Sequence, residues 1–228
     1  MKIEEYIPSM INIEKTEWFS LLTESQKELL SSSGGRINYS EGETIVKQGF
    51  AASHIVFLEK GIIKLNVENR KKSTTFKIMQ GGNFIGLMCS FVNKKLDFSA
   101  ISVTDASVFL FDRKVFEQII IENGDFALYI VKLISELTNA VVHSLIKLTH
   151  KNVNGAIATI LLDLYSLYNL NSFTLPFNRT EMANALGYSK ESIINTLSEF
   201  NRDGILEISG KKIIIKDLDK LISISLNG

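Results

Sequence analysis

The chain is poor in the residues that build metal and redox centres. It holds one cysteine, Cys89, in 228 residues. One thiol forms no internal disulfide and cannot alone ligate an iron–sulfur cluster or a structural zinc, so an iron–sulfur cofactor is excluded. Histidine is nearly as scarce, with His54, His143 and His150 making up the full set of 3. A metalloenzyme on a small β-barrel normally gathers two or three histidines with a carboxylate, and the β-rich part of this chain offers His54 alone. No Ser/His/Asp set, Walker loop or zinc-binding helix is found, and no catalysis is expected. A surplus of one charge sign is also missing. Lys+Arg and Asp+Glu number 25 each, so any claim for nucleic acid must rest on local arrangement. The first twenty residues carry Glu4, Glu5, Glu14 and Glu17 and no apolar stretch of signal-peptide length. No run reads as a membrane span, since Ala156–Leu162 stops at Asp163. The expectation is a soluble cytoplasmic protein with no membrane partner.

Apolar patterning is plentiful by contrast. Hydrophobic residues make up 45% of the chain, enough for a packed core and too many for general disorder. Up to residue 33 the chain reads as helical pieces, with Trp18, Phe19, Leu21, Leu22, Leu29 and Leu30 on apolar faces, until Ser31–Gly35 breaks the pattern. From Arg36 to about Asp112 it changes to short segments rich in Ile, Val, Phe and Thr. Thr44–Lys47, His54–Leu58, Ile62–Val67, Thr74–Met79, Ser99–Val103 and Ser107–Phe111 read as strands, with glycines at turns between them. That texture predicts a β-sandwich, roll or barrel. A helix is predicted at Lys114–Ile121, and after Gly124 a longer one from Asp125 to about Lys151. Along it Ile130, Ile134, Leu137, Val141, Ser144 and Leu148 follow the heptad spacing of a helix packed on a partner helix. A helix packed on its own β-domain fits the same pattern, and both readings stand. Lys151–Gly155 is a polar break read as a hinge, and Ala156–Tyr168 resumes as helix.

The next stretch is the most informative. Asn178-Arg-Thr-Glu181 is a helix start, with Asn as cap and Glu at the position that reaches back. That helix stops at Gly187-Tyr188. A second starts with Ser189 as cap and runs to Asp203, before Gly204. Two short helices joined by a tight glycine turn make a helix-turn-helix. In the second helix Ile193, Leu197 and Phe200 share a narrow arc that must face the core. Opposite lie Glu191, Asn195, Ser198 and Arg202, with Lys190 and Ile194 on the flank. These side chains include the types that read base edges in the major groove. Lys211 and Lys212 sit at the tip of a predicted hairpin, where phosphates would pass. Any surface helix also shows a polar face, and the local charge is weak: residues 171–216 hold six basic and five acidic side chains.

With these motifs in view, the chain resembles the cyclic-AMP receptor protein/FNR (Crp/Fnr) family of bacterial transcription regulators, over about residues 20 to 216. The resemblance lies in Glu41-Gly-Glu-Thr-Ile-Val-Lys-Gln-Gly49, in Ile55-Val-Phe-Leu-Glu-Lys-Gly61, and in Arg179-Thr-Glu-Met-Ala-Asn-Ala-Leu-Gly-Tyr-Ser-Lys-Glu-Ser192, with Val153-Asn-Gly155 at the hinge. It implies an α+β chain with an N-terminal β-roll of the cyclic-nucleotide-binding, jelly-roll kind (1–124), a long dimerisation helix (125–151) and a C-terminal winged helix-turn-helix (152–228). It further implies a homodimer on double-stranded DNA, with RNA polymerase as a partner. Lys190, Glu191 and Asn195 occupy the family's base-reading positions, and Arg179 and Ser189 match positions that touch phosphate. Lys190 stands for a common arginine, and Asn195 replaces a frequent one, so guanine readout there gives way to adenine.

In the sensor half the resemblance fails at the effector. Family members that bind cyclic AMP use a phosphate cassette with a glutamate for the ribose and an arginine for the phosphate. Here Leu87 and Phe98 occupy those places, in a stretch with Phe84, Gly86, Met88, Cys89 and Ser99. Val141 and Val142 stand where a polar pair would meet adenine. A nucleotide there would leave its charged and hydroxyl groups unpaired, at a cost of several kcal/mol, about 2–7 for each polar group. Cyclic AMP is therefore not expected. Haem on one of the three histidines, redox sensing by Cys89, an uncharged effector and no effector all stay open. So does a regulatory module that works through protein contacts without DNA.

Overall fold

The computed structural model describes residues 10–69, 72–92, 95–149 and 151–228. After a 3-10 turn at Ile13–Lys15 come α1 (Glu17–Ser20) and α2 (Glu24–Ser32). The strands β1 (Gly35–Tyr39), β2 (Thr44–Val46), β3 (His54–Lys60), β4 (Ile62–Asn69), β5 (Lys72–Gln80) and β6 (Asn83–Ile85) follow. Next are α3 (Leu87–Val92), β7 (Ser99–Ser102), β8 (Ala106–Asp112), α4 (Arg113–Glu122) and the long α5 (Gly124–Thr149). The C-terminal part holds α6 (Val153–Tyr168), β9 (Ser172–Thr174), α7 (Arg179–Leu186), α8 (Lys190–Arg202), β10 (Leu206–Ser209), β11 (Lys212–Ile215) and α9 (Leu218–Asn227). Two compact units result, one of Ile7–Glu68 with Phe76–Val141, the other centred on Val142–Gly228.

The β-roll consists of two four-stranded sheets, ordered β1-β8-β3-β6 and β2-β7-β4-β5. Strand β3 shows why its sequence reads as a continuous apolar run. Ile55 and Phe57 point into one core cluster, Val56 and Leu58 into the other, so both faces of the pleat are covered. In the first cluster the lone tryptophan, Trp18 of α1, packs against Phe57, Phe84, Phe111 and Phe126 with ring centroids 5.2–6.3 Å apart. That aromatic nucleus fastens α1, α4 and α5 to the sheet. Beyond Leu58, β3 is irregular. Leu58 pairs with Val108 and Lys60 with Ser107, which leaves Glu59 as the extra residue of a bulge. Its carboxylate is fully buried and accepts from Arg36 Nε at 2.6 Å, Arg36 Nη2 at 2.8 Å and Ser107 Oγ at 3.3 Å.

Helix α5 changes the expected seam. Ile130 is buried in the aromatic cluster, and Leu133 and Ile134 pack against it. The first members of the heptad read from sequence therefore face the chain's own β-roll. The side chains of Ser144 and Leu148 lie outside the described residues. The uncovered apolar stripe is a different one: Leu128, Val131, Val142 and Ile146, exposed by 54, 59, 46 and 57%. Ser135 and Thr138 continue it, and both turn their hydroxyls onto backbone carbonyls one turn back, at 2.8 Å. By length and composition alone Gly124–His143 also passes for a crossing helix, a test that a long helix of a soluble protein passes too.

Gly155, expected at a hinge, sits inside the first turn of α6 and is buried there. A Cβ at this position would lie 2.6 to 2.9 Å from backbone atoms of Gly228, so glycine is needed for close packing of α9 on α6. The short β9 and α3, and the whole of α9, were not foreseen from the sequence.

Candidate nucleic-acid interface

The helix-turn-helix is built as its caps predict. Asn178 Oδ1 accepts from the N–H groups of Thr180 and Glu181, and a Glu181 carboxylate oxygen accepts from the N–H of Asn178 at 2.7 Å. Gly187, at φ +74°, closes α7 in the left-handed region. Ser189 Oγ then caps α8 by accepting from the N–H of Ser192 at 3.0 Å. Ile193, Thr196, Leu197 and Phe200 form the buried side of α8. On the other side Lys190, Glu191, Ile194, Asn195, Ser198 and Arg202 are all exposed. Lys190, Glu191 and Asn195 have no side-chain partner among the described residues, so their polar groups are free to meet another molecule. Arg202 leans toward Asp203 at 3.6 Å. The Ser198 hydroxyl donates to the Ile194 carbonyl at 2.8 Å.

The wing is a three-stranded sheet, ordered β10-β11-β9. Asn201 holds it to α8 by accepting from the N–H of Ile208 at 2.9 Å. Lys211 is exposed at the hairpin tip and Lys212 is half-buried beside it. Arg179 lies half-buried in the same region and donates to the Gly210 carbonyl at 3.2 Å, bracing α7 against the wing turn. Burial lowers its pKa from the ordinary arginine value. One of its donors is therefore engaged inside the protein, and the Ser189 hydroxyl is engaged in its cap. Glu207 pairs with Lys216 at 2.7 Å, which holds that carboxyl below its ordinary pKa. The Glu207 charge near the wing is therefore balanced locally by Lys216.

Two contacts that fix α8 were missed in the sequence. Thr196 is buried and donates to Asn154 Oδ1 at 2.8 Å, while the Tyr188 hydroxyl donates to the Lys151 carbonyl at 2.5 Å. Both tie the start of α6 to the helix-turn-helix. A threonine beside Ile193, Leu197 and Phe200 on the buried arc was the available signal, because a buried hydroxyl needs a partner.

Residues 155–224 match the Crp-like helix-turn-helix domain and residues 36–123 the cyclic nucleotide-binding domain, together well over half of the chain and in the family's order. The chain belongs to the Crp/Fnr family of DNA-binding transcription regulators. Among curated Crp/Fnr proteins, it is 23% identical to the transcriptional activator protein FnrL of Cereibacter sphaeroides, over 81% of this chain and 78% of that one. It is 20% identical to the CRP-like cAMP-activated global transcriptional regulator of Mycobacterium tuberculosis, over 81% and 85%. A solved Crp/Fnr-family regulator from Eubacterium rectale shares the fold, with a TM-score of 0.79 at 18% identity over 93% of this chain and 99% of that one. With a Crp-like helix-turn-helix present, the reading without DNA is not favoured.

The residues named for a Crp/Fnr effector pocket are divided between the two core clusters and the surface. Phe84 and Leu87 are buried in the aromatic cluster with Trp18. Phe98 belongs to the second core cluster, with Cys89 packed against it. The Phe98 ring and Leu96 lie directly over the Gly86 turn, 3.2 and 3.3 Å from where a Cβ there would be. Ser99 is buried, and its Oγ accepts from the N–H of Gln48 at 3.1 Å. Met88 is exposed by 42%, with its sulfur 3.8 Å from Thr138 Oγ1 of α5. Val141 and Val142 are exposed. Burial pushes the Cys89 thiol pKa up, away from the reactive thiolate. Among the described residues no cluster of three or more His, Cys, Asp or Glu is placed to hold a metal. His54 Nδ1 is paired with Ser53 Oγ at 3.0 Å, His143 is exposed on α5, and His150 lies outside the described residues.

Proposed function

We propose that this regulator works in the cytoplasm as a homodimer on a two-fold operator, each α8 reading one half-site in the major groove, with RNA polymerase as partner. The exposed, unpartnered set Lys190, Glu191 and Asn195 on the first turns of α8 carries the reading. The bare stripe of α5 supports the pairing. The naming of FnrL as a transcriptional activator supports the polymerase partner. Base contacts and phosphate contacts separate in a binding assay. Glu191→Ala will reduce discrimination between operator and single-base variants by about 1–3 kcal/mol. Lys211→Ala will weaken all duplexes alike and lower the slope of log K against log salt by about one. Uniform loss of affinity in both variants would remove α8 from the reading role.

We infer in addition that the β-roll takes no cyclic nucleotide. Leu87 and Phe98, 2 and 8% exposed, fill the places where a ribose acceptor and a phosphate cation would stand. A nucleotide phosphate there would meet core hydrocarbon and no counter-charge. A ligand at a hundredfold excess over its Kd stabilises the state it binds by about 2.7 kcal/mol. Millimolar cyclic AMP is expected to leave the thermal transition followed by Trp18 fluorescence unchanged. A rise of several degrees would overturn the inference.

A further inference from the structure

Ile194 is an apolar, β-branched side chain set outward on a short helix, where neither propensity nor packing favours it. It is 41% exposed, three residues after Glu191 and four after Lys190, so it shares the face of both. Ser198, one turn further along the same face, turns its hydroxyl back onto the Ile194 carbonyl. The free polar readers therefore flank an apolar centre. In the major groove one base carries an apolar group at its exposed edge, the C5-methyl of thymine. We propose that Ile194 packs against a thymine methyl in each operator half-site and is a specificity-determining residue beside the base pairs faced by Glu191 and Asn195. This rests on the DNA-binding reading of α8. It predicts an A·T pair next to the pair that Glu191 reads, with Asn195 suited to adenine by its paired donor and acceptor.

The test uses the full chain and a duplex that it enriches from a randomised pool. Each thymine is replaced in turn by deoxyuridine, which removes the methyl and keeps every hydrogen-bonding group. One symmetry-related thymine pair is expected to respond, with a loss of roughly fourfold per half-site for one buried methyl. Ile194→Ala will bind the thymine and deoxyuridine duplexes equally at that pair, and Ile194→Val will keep most of the preference. Position 194 is exposed, so both variants fold, and circular dichroism checks this. If no thymine responds, or if Ile194→Ala responds as strongly as the parent, the assignment of Ile194 fails while DNA binding stands. If the parent enriches no duplex at all, the reading of α8 as a DNA reader fails with it.

Discussion

Val131→Asp will convert the protein to a folded monomer and reduce its affinity for a two-fold operator by on the order of a hundredfold or more. Val131 is 59% exposed in the single chain, so an aspartate there disturbs no packing within one protomer. In a dimer joined along α5 the same carboxylate would be buried in the apolar stripe next to Leu128. Half-sites bound separately lose the effective concentration that linkage supplies, and operator affinity falls far more than any one base contact could explain. Light scattering on the eluted species gives the mass, and gel shift gives the affinity. Val131→Thr, of nearly equal volume, will keep the dimer. A parent protein that runs as a monomer, or that needs detergent to stay in solution, would refute the pairing, the second outcome favouring a lipid contact for this helix.

The same helix shows where the sequence was legible and where it was not. Heptad spacing at Ile130 and Ile134 is real, but it is satisfied by the aromatic cluster of the chain's own β-roll. The stripe left bare is interrupted by Ser135 and Thr138, which read as polar in a string of letters. Their hydroxyls are spent on the carbonyls of Val131 and Ile134, and what they present outward is largely hydrocarbon. The faces of α8 were legible, since caps at Asn178 and Ser189 and an apolar arc at Ile193, Leu197 and Phe200 are local rules. The packing around the effector residues was not. Their neighbourhood is set by long-range packing, which puts Phe84 and Leu87 in one cluster and Phe98 in the other. Arg179 was read as a phosphate contact, and its bond to Gly210 depends on the wing folding back to meet it.

Arg36→Met is expected to destabilise the β-roll by about 2–3 kcal/mol. Glu59 is the bulged residue of β3 and is fully buried, and two N–H groups of Arg36 approach it at 2.6 and 2.8 Å. Removing the guanidinium leaves Ser107 Oγ, at 3.3 Å, as the one side-chain donor bonded to that carboxylate among the described residues. A pair buried at both ends would cost about 3–5 kcal/mol when broken. The lower figure applies here because the Arg36 side chain is 49% exposed and water can reach its place. Urea unfolding followed by Trp18, which sits in this unit's core, reports the loss as a lower midpoint at unchanged slope. Arg36→Lys will recover part of it, because an ammonium supplies charge without the two-pronged fork. The double variant Arg36→Met with Glu59→Met will be more stable than Arg36→Met alone, since no uncompensated charge then remains inside the sheet. A single variant that unfolds at the parent's midpoint would mean that the bulge holds Glu59 without help from Arg36.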